Sequence, residues 1–254
     1  MSHWTVFRTR WLNEAFGRVI GFMLLYPRDF DQIQHYAHHR HTQDWRRDGE
    51  LVRSPYDRRS YLLWLLGPSY WYSRVTRIIR FCRGVVVEPY IPAGRRADMI
   101  REARWHLAGY ATITTLSIAL GSWAAMTYWL APMVLTKAAH QLQNTIEHLG
   151  LPHVSDTLRN TRSTRTGAVL RWLCWNMQYH TAHHAFPVVP FHQLPALHRC
   201  IFTARGREPP TMTYLAFQWA VLHAFAKGKT EADYSLETQW IAPNVSRTSR
   251  TVAL

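Results

Sequence analysis

One histidine pattern, a ring followed by two more at the third and fourth positions beyond it, occurs twice in the chain. The copies are His35-x-x-His38-His39 and His180-x-x-His183-His184, and they flank an apolar stretch from Trp105 to Thr136. On a helix, residues i, i+3 and i+4 share one face, so each triplet aims three imidazoles at one point. Crowding three ionisable rings is unfavourable unless something takes up their lone pairs. Neutral imidazole suits iron, copper and zinc, so the spacing predicts two helical segments that bind transition metal.

With 254 residues the chain is long enough for one domain with a proper core, or two small ones. Hydrophobic content of 47% with 12 Trp, 12 Tyr and 10 Phe excludes disorder over most of the length. Trp and Tyr also favour membrane interfaces, where one end of the ring system is dry and the other wet. The formal charge of +14, carried largely by arginine, suits nucleic acid and an anionic membrane face equally well by itself. A mean hydropathy of −0.24 limits any membrane-spanning helices to a few. Cys82, Cys174 and Cys200 form no close pair and no CxxC, which argues against a disulfide framework or a cysteine-type zinc site and fits a reducing environment.

Along the chain, residues 11–26 are apolar, contain Gly17 and Gly21, end at Pro27, and read as a helix lying on a membrane. Residues 29–42 carry the first triplet, and 44–60 read as a solvated loop. Residues 61–72, interrupted by Gly67-Pro68, read as a second interfacial helix. Arg74, Arg77, Arg80 and Arg83 read as a solvated helix face. From Trp105 to Thr136, 32 residues contain one charge-capable group, His106. A crossing needs about 20 residues, and Gly121-Ser122 is a natural tip, so the expectation is a hairpin of two crossings. Such a hairpin leaves both triplets on one face of the membrane, the cytoplasmic one by the positive-inside rule. Residues 211–226 form another apolar helix, and from 235 a polar, flexible tail is expected. The predicted fold is all-α: a membrane-embedded helical hairpin plus interfacial helices carrying a histidine-rich, metal-binding cytoplasmic cap.

Six histidines exceed the four ligands of one tetrahedral zinc, and His148 in Asn144-Thr-Ile-Glu147-His148 makes seven, enough for two metals. No Glu-x-x-His occurs, unlike the carboxylate-rich di-iron helix bundles. An all-imidazole pair of metals has few anionic ligands and points to O2-dependent redox chemistry on a poorly reactive C–H bond rather than to hydrolysis.

Three phrases then stand in order. They are His3-Trp-Thr-Val-Phe7-Arg8 with Leu12-Asn13, His35-Tyr-Ala-His38-His39-Arg-His41-Thr42, and Trp175-Asn-Met-Gln-Tyr-His180-Thr-Ala-His183-His184-Ala-Phe-Pro187. In them the chain resembles the membrane fatty acid desaturase/hydroxylase superfamily, whose histidine boxes read HxxxH, HxxHH and HxxHH, and most of all its bacterial-type branch. The resemblance covers nearly all of residues 3–200. It implies two non-haem irons held by His3, His35, His38, His39, His148, His180, His183 and His184, with Asn144 reaching iron through water and His41 just outside the ligands. Asp44 and Glu147 either orient ligand imidazoles from outside or are surface carboxylates beside arginines. The remaining histidines, His106, His140, His153, His192, His198 and His223, read as packing or surface residues.

The resemblance further implies a fatty acid desaturase acting with O2 on a membrane lipid or other acyl chain. A related hydroxylase or monooxygenase and a truncated, inactive relative are the alternatives. Without a haem domain, flavin fingerprint or iron–sulfur cysteine cluster in the sequence, electrons are expected from a ferredoxin, rubredoxin or cytochrome-type partner, and no nucleic acid is involved. Location as an integral protein of a bacterial inner membrane is implied. The first histidine of HxxxH would fall before Met1 and the usual upstream transmembrane hairpin is missing. Residues 1–234 are therefore expected to form an N-terminally truncated desaturase-like domain.

Overall fold

Helices make up nearly all the regular structure of the described residues, which are 2–51, 55–206 and 209–231 of this computed structural model. The tail expected from residue 235 lies outside them. In chain order the helices are α1 (Arg10–Met23), α2 (Arg28–His41), α3 (Arg58–Leu66), α4 (Pro68–Cys82), α5 (Arg96–Ala119), α6 (Ala131–Leu135) and α7 (Lys137–Asn144). There follow α8 (Thr157–Asn160), α9 (Ala168–Leu173), α10 (His180–Ala185), α11 (Leu194–Ile201) and α12 (Tyr214–Ala226). A short parallel pairing of β1 (Ser163–Thr164) with β2 (Thr211–Met212) is added to an otherwise helical chain. Two compact units divide it: Met1–Arg40, Trp45–Val52 and Ser60–Gln141 form the first, and His41–Asp44, Arg53–Arg59 and Leu142–Leu254 the second.

The first unit is built on a buried cluster of Phe30, Ile78, Phe81, Val86, Ile91, Met99 and Ala103, drawn from α2, α4, α5 and the α4–α5 connection. Two of the arginines expected on a solvated helix face belong to this core instead. Arg74 is 9% exposed, with its guanidinium carbon 3.2 Å from the Tyr26 ring centre and 4.1 Å from that of Tyr70. Arg77 lies 4.3 Å above Phe30. The physical reason is that aromatic rings attract a desolvated guanidinium, so an arginine row at helical spacing can face inward when Tyr and Phe line the other side. α1 turns its small residues, Gly17 and Gly21 with Asn13, into the unit. A Cβ on Gly21 would sit 2.5 Å from the Tyr26 carbonyl oxygen, so glycine permits the tight corner that leads into α2. Glu102 of α5 starts that helix by accepting the amides of Arg28 and Asp29 at 2.8 and 2.9 Å, satisfying two of its orphan donors.

No helix of the described residues is long and apolar enough to cross a membrane, which corrects the expected pair of crossings. The turn itself is where expected. Gly121 has φ 58°, and the amide of Ser122 reaches the Ser117 carbonyl at 2.9 Å, a left-handed glycine ending for α5. What fails is arm length. The first nine positions of α5 include five charged residues, Arg96, Asp98, Arg101, Glu102 and Arg104, which leaves an uncharged part from Trp105 to Ala119 spanning only about 22 Å at 1.5 Å per residue. The returning arm is divided into a π-helical segment, Met126–Leu130, and the short α6 with Pro132 near its start.

In the second unit Ile146, Leu149, Leu151, Ala182, Leu194, Met212, Phe217, Val221 and Phe225 are buried. Thr213 caps α12 by accepting the amide of Ala216, and Asp156 caps α8 by accepting that of Leu158. Arg162 is fully buried here. Its guanidinium donates to the carbonyls of Ile146 and Leu149 at 2.5 and 3.1 Å and lies 5.1 Å from the centre of the Phe217 ring.

Candidate metal centre

Histidines converge within each unit. In the first, α2 carries His35, His38 and His39 on adjoining turns, and the chain ahead of α1 brings in His3. That segment is tied down along α2. The Ser2 hydroxyl donates to Asp31 at 2.7 Å, while its carbonyl accepts from Gln32 and from the Tyr36 hydroxyl, each at 2.8 Å. His3 is thereby set beside His35. The Nε2 atoms of His3 and His35 are 2.9 Å apart, those of His3 and His39 3.1 Å, and those of His35 and His39 3.1 Å. Three such mutual contacts cannot all be hydrogen bonds, since each Nε2 of a neutral imidazole is either a donor or an acceptor and at least one pair must be alike. A metal bound at about 2.1 Å by ligands at right angles would place them about 3.0 Å apart. The group therefore fits a metal ion.

His38, buried on the same helix, has Nδ1 2.9 and 3.1 Å from the two carboxylate oxygens of Asp48, and His35 Nδ1 stands 3.3 Å from Glu50. A carboxylate accepts from Nδ1–H, which makes Nε2 of a neutral ring the nitrogen that carries the lone pair.

In the second unit the third box lies on α10, where residues 180–184 are all buried. His148 reaches the same place from the end of a one-turn helix, Thr145–Glu147. Its Nε2 is 2.8 Å from that of His180, and His148, His180 and His184 each offer a ring nitrogen within 4.8 Å of the others. Here too the outer nitrogens are held. His148 Nδ1 donates to the Asn160 carbonyl at 3.1 Å, and His184 Nδ1 is 3.2 Å from the Thr42 hydroxyl. A carbonyl can only accept, so the proton of a neutral His148 is on Nδ1 and its Nε2 carries the lone pair, the atom that faces His180. His183, the middle ring of the box, is buried with its ring centre 5.8 Å from that of His184.

Among the remaining expected residues, Glu147 is buried, 3.6 Å from His180 Nδ1, and accepts from the amides of Gln143 and Asn144 at 3.0 and 3.1 Å. Asn144 is thus engaged with Glu147. His41 and Asp44 lie at the end of α2, the Asp44 amide donating to the His41 carbonyl at 2.8 Å, and neither belongs to the converging groups found among the described residues. Sequence reasoning missed Asp48, Glu50, Asn160 and Thr42. Asp48 and Glu50 carry a readable signal, two carboxylates shortly after a histidine triplet, but they fall in what reads as a solvated loop. Asn160 acts through its backbone, which leaves no signature in the sequence.

The approach to α10 is strained. Trp175 and Asn176 both have positive φ, 52° and 58°, directly ahead of the turn that opens the box. Non-glycine residues occupy this region at a cost, and such positions cluster at functional sites.

The sequence profile described as fatty acid desaturase matches residues 1–216. The chain belongs to the fatty acid desaturase family. An sn-1 oleoyl-lipid 12-desaturase from Arthrospira platensis is 21% identical over 221 residues, which is 76% of this chain and 60% of that relative. The chain thus spans about 60% of the length of the curated relative it matches. Membership makes this a chain of an oxidoreductase family associated with membranes and acyl lipids, and its grouped histidines are of the kind that could hold metal.

Proposed function

We propose that the chain is an O2-dependent oxidoreductase that desaturates the acyl chain of a membrane lipid, with two irons held by His3, His35, His38, His39, His148, His180, His183 and His184. Residues 1–234 make up its desaturase-like domain. The observation that carries this reading is the convergence of histidine ring nitrogens, at 2.8–3.1 Å, in a chain matched to the desaturase profile over residues 1–216. Bound iron would supply the activation of O2 and the removal of hydrogen from an unactivated methylene. In sum, –CH2–CH2– and O2 with two electrons and two protons give –CH=CH– and two waters.

The chain's own residues bind and orient. Nδ1 partners of His35, His38 and His148 keep each ring in one tautomer with Nε2 presented inward. The converging donors are neutral imidazoles, which leaves bound metal its positive charge and favours an oxidising site. Asn144, His41, Asp44 and Glu147 are assigned supporting roles around the ligands, with Glu147 the best placed by its 3.6 Å approach to His180.

Substrate and partners follow from the same reading. The relative's name makes an oleoyl lipid the first substrate to test. Exposed Val169, Leu170, Trp172 and Leu173 on α9, and Leu215 and Trp219 on α12, suit contact with lipid, with the histidines on the cytoplasmic side. Electrons come from a ferredoxin, rubredoxin or cytochrome-type carrier, and the net charge of +14 suits an acidic one. The test is purified protein in lipid with a reduced ferredoxin and air, followed by iron analysis and mass spectrometry of the lipids. Two irons per chain and products lighter by two hydrogens are expected. Zinc alone, or full product formation by both H39A and H184A, sinks the reading.

A further inference from the structure

We infer that the loop Asp48-Gly49-Glu50 is a positioning clasp on α2: it holds His38 and His35 in the tautomer that presents Nε2, and so sets the metal affinity of the second histidine box. This rests on the reading above that these histidines bind metal.

Three successive loop residues meet three residues on one face of α2. Asp48, 2% exposed, receives His38 Nδ1 at 2.9 Å and with the same oxygen accepts the Glu50 amide at 2.8 Å. The second bond turns the loop so that Glu50 reaches His35 Nδ1 at 3.3 Å. Between them the Gly49 carbonyl accepts from Gln34 Nε2 at 2.6 Å. Gln34 cannot flip its amide to escape, because its Oε1 already accepts the Tyr26 hydroxyl. A Cβ at residue 49 would lie 2.5 Å from the Gln34 carbonyl oxygen and 3.0 Å from its Cα. These are backbone atoms of a helix, so any side chain at 49 lifts the loop away from α2.

The consequence is specific to the tautomer. A carboxylate can only accept, whereas an amide in its place can either accept or donate. Asp48→Asn therefore preserves the shape and a hydrogen bond while no longer requiring the proton on Nδ1. A role limited to packing would survive that change; a role in presenting Nε2 would not.

The experiment uses the full chain and Co(II), whose visible absorption reports coordination, with affinity measured by chelator competition. Nitrogen-15 NMR of the histidine rings reports the tautomers of the metal-free forms. The metal-free wild type is expected to hold His38 with its proton on Nδ1. D48N and G49A are expected to bind Co(II) roughly 10- to 100-fold more weakly. E50Q, at a half-exposed site, should lose roughly threefold. E88Q, which alters a carboxylate paired with Arg80 elsewhere in the unit, should match wild type. If D48N and G49A fail to fold, E50Q decides alone, since Glu50 is 40% exposed on its side chain and its replacement is tolerated. Wild-type affinity in the folded variants, or an unchanged His38 tautomer in D48N, overturns the clasp and leaves the metal reading standing. Failure of the unmodified chain to bind Co(II) overturns both.

Discussion

The Nε2 atoms of His148 and His180 stand 2.8 Å apart although 32 residues separate them in the chain. His148 Nδ1 is tied to the Asn160 carbonyl at 3.1 Å, so the contact is not a chance rotamer of a loose ring. The first unit repeats the arrangement with His3 and His35 at 2.9 Å.

Because each unit has its own converging histidines, single substitutions should remove metal in halves. H180A is expected to lose about one of two bound ions and H3A about one, with the double variant nearly metal-free. Inductively coupled plasma mass spectrometry of the purified variants checks this. Full loading of H3A would strike His3 from the ligands.

Glu102 and His106 line one polar cavity of about 350 Å³ with Arg18, Asp29 and Arg101, yet they answer pH in opposite senses. Burial raises the Glu102 carboxyl from 4.5 to about 7, with Asp29 adding to the shift and the amides of Asp29 and Arg28 opposing it. The folded chain therefore keeps a proton that the unfolded chain releases, and stability falls as pH rises from about 4.5 to about 7. Burial, then Arg18, lowers His106 from 6.5 to about 4. Its contribution is complete above 6.5 and is lost as pH falls toward 4. In melting curves between pH 4 and 8, E102Q should flatten the alkaline decline and H106Q the acid one. Parallel shifts of the two variants would contradict this.

Arg162 secures the turn that carries His148. Its guanidinium donates to Ile146 and Leu149, on either side of that turn, and its amide donates to the Glu147 carbonyl at 2.8 Å. Burial alone lowers this guanidinium to about 9. R162M leaves two buried carbonyls without a donor and should cost about 3 kcal/mol in urea denaturation, with metal lost from the His148 group first. A cost below about 1 kcal/mol would mean that water replaces the arginine.

Gly121 tests the hairpin tip. A Cβ there meets nothing within 4 Å, so G121A isolates the backbone penalty of φ 58°. About 1 kcal/mol of destabilisation is expected, and a neutral result would place the residue outside the left-handed region.

Much of the site was legible because its geometry is local. The spacing of His35, His38 and His39 needs only a helix to place the rings on adjoining turns, and both boxes are helical. His3 was legible through its phrase's resemblance to a family, since no spacing rule connects it to α2. Asp48 and Glu50 were not legible, because their partners are set by how a loop folds back. The Arg74 row misled because helical spacing says which residues share a face and not what that face meets. The apolar run at Trp105 misled through length: the total of 32 residues is divided by the turn at Gly121, which leaves α5 an apolar arm of only 105–119, and the returning arm is broken near Pro132.

The left-handed step at Trp175 and Asn176 separates two very different surroundings. Ahead of it α9 leaves Trp172 77% exposed, and a few residues later every position from His180 to His184 is buried. A helix running unbroken between them would bind the two together, so that any change outside would rotate the rings within. The kink breaks the helical register at residues 175 and 176, so the aim of the rings on α10 is set by that turn and not by the face that α9 presents.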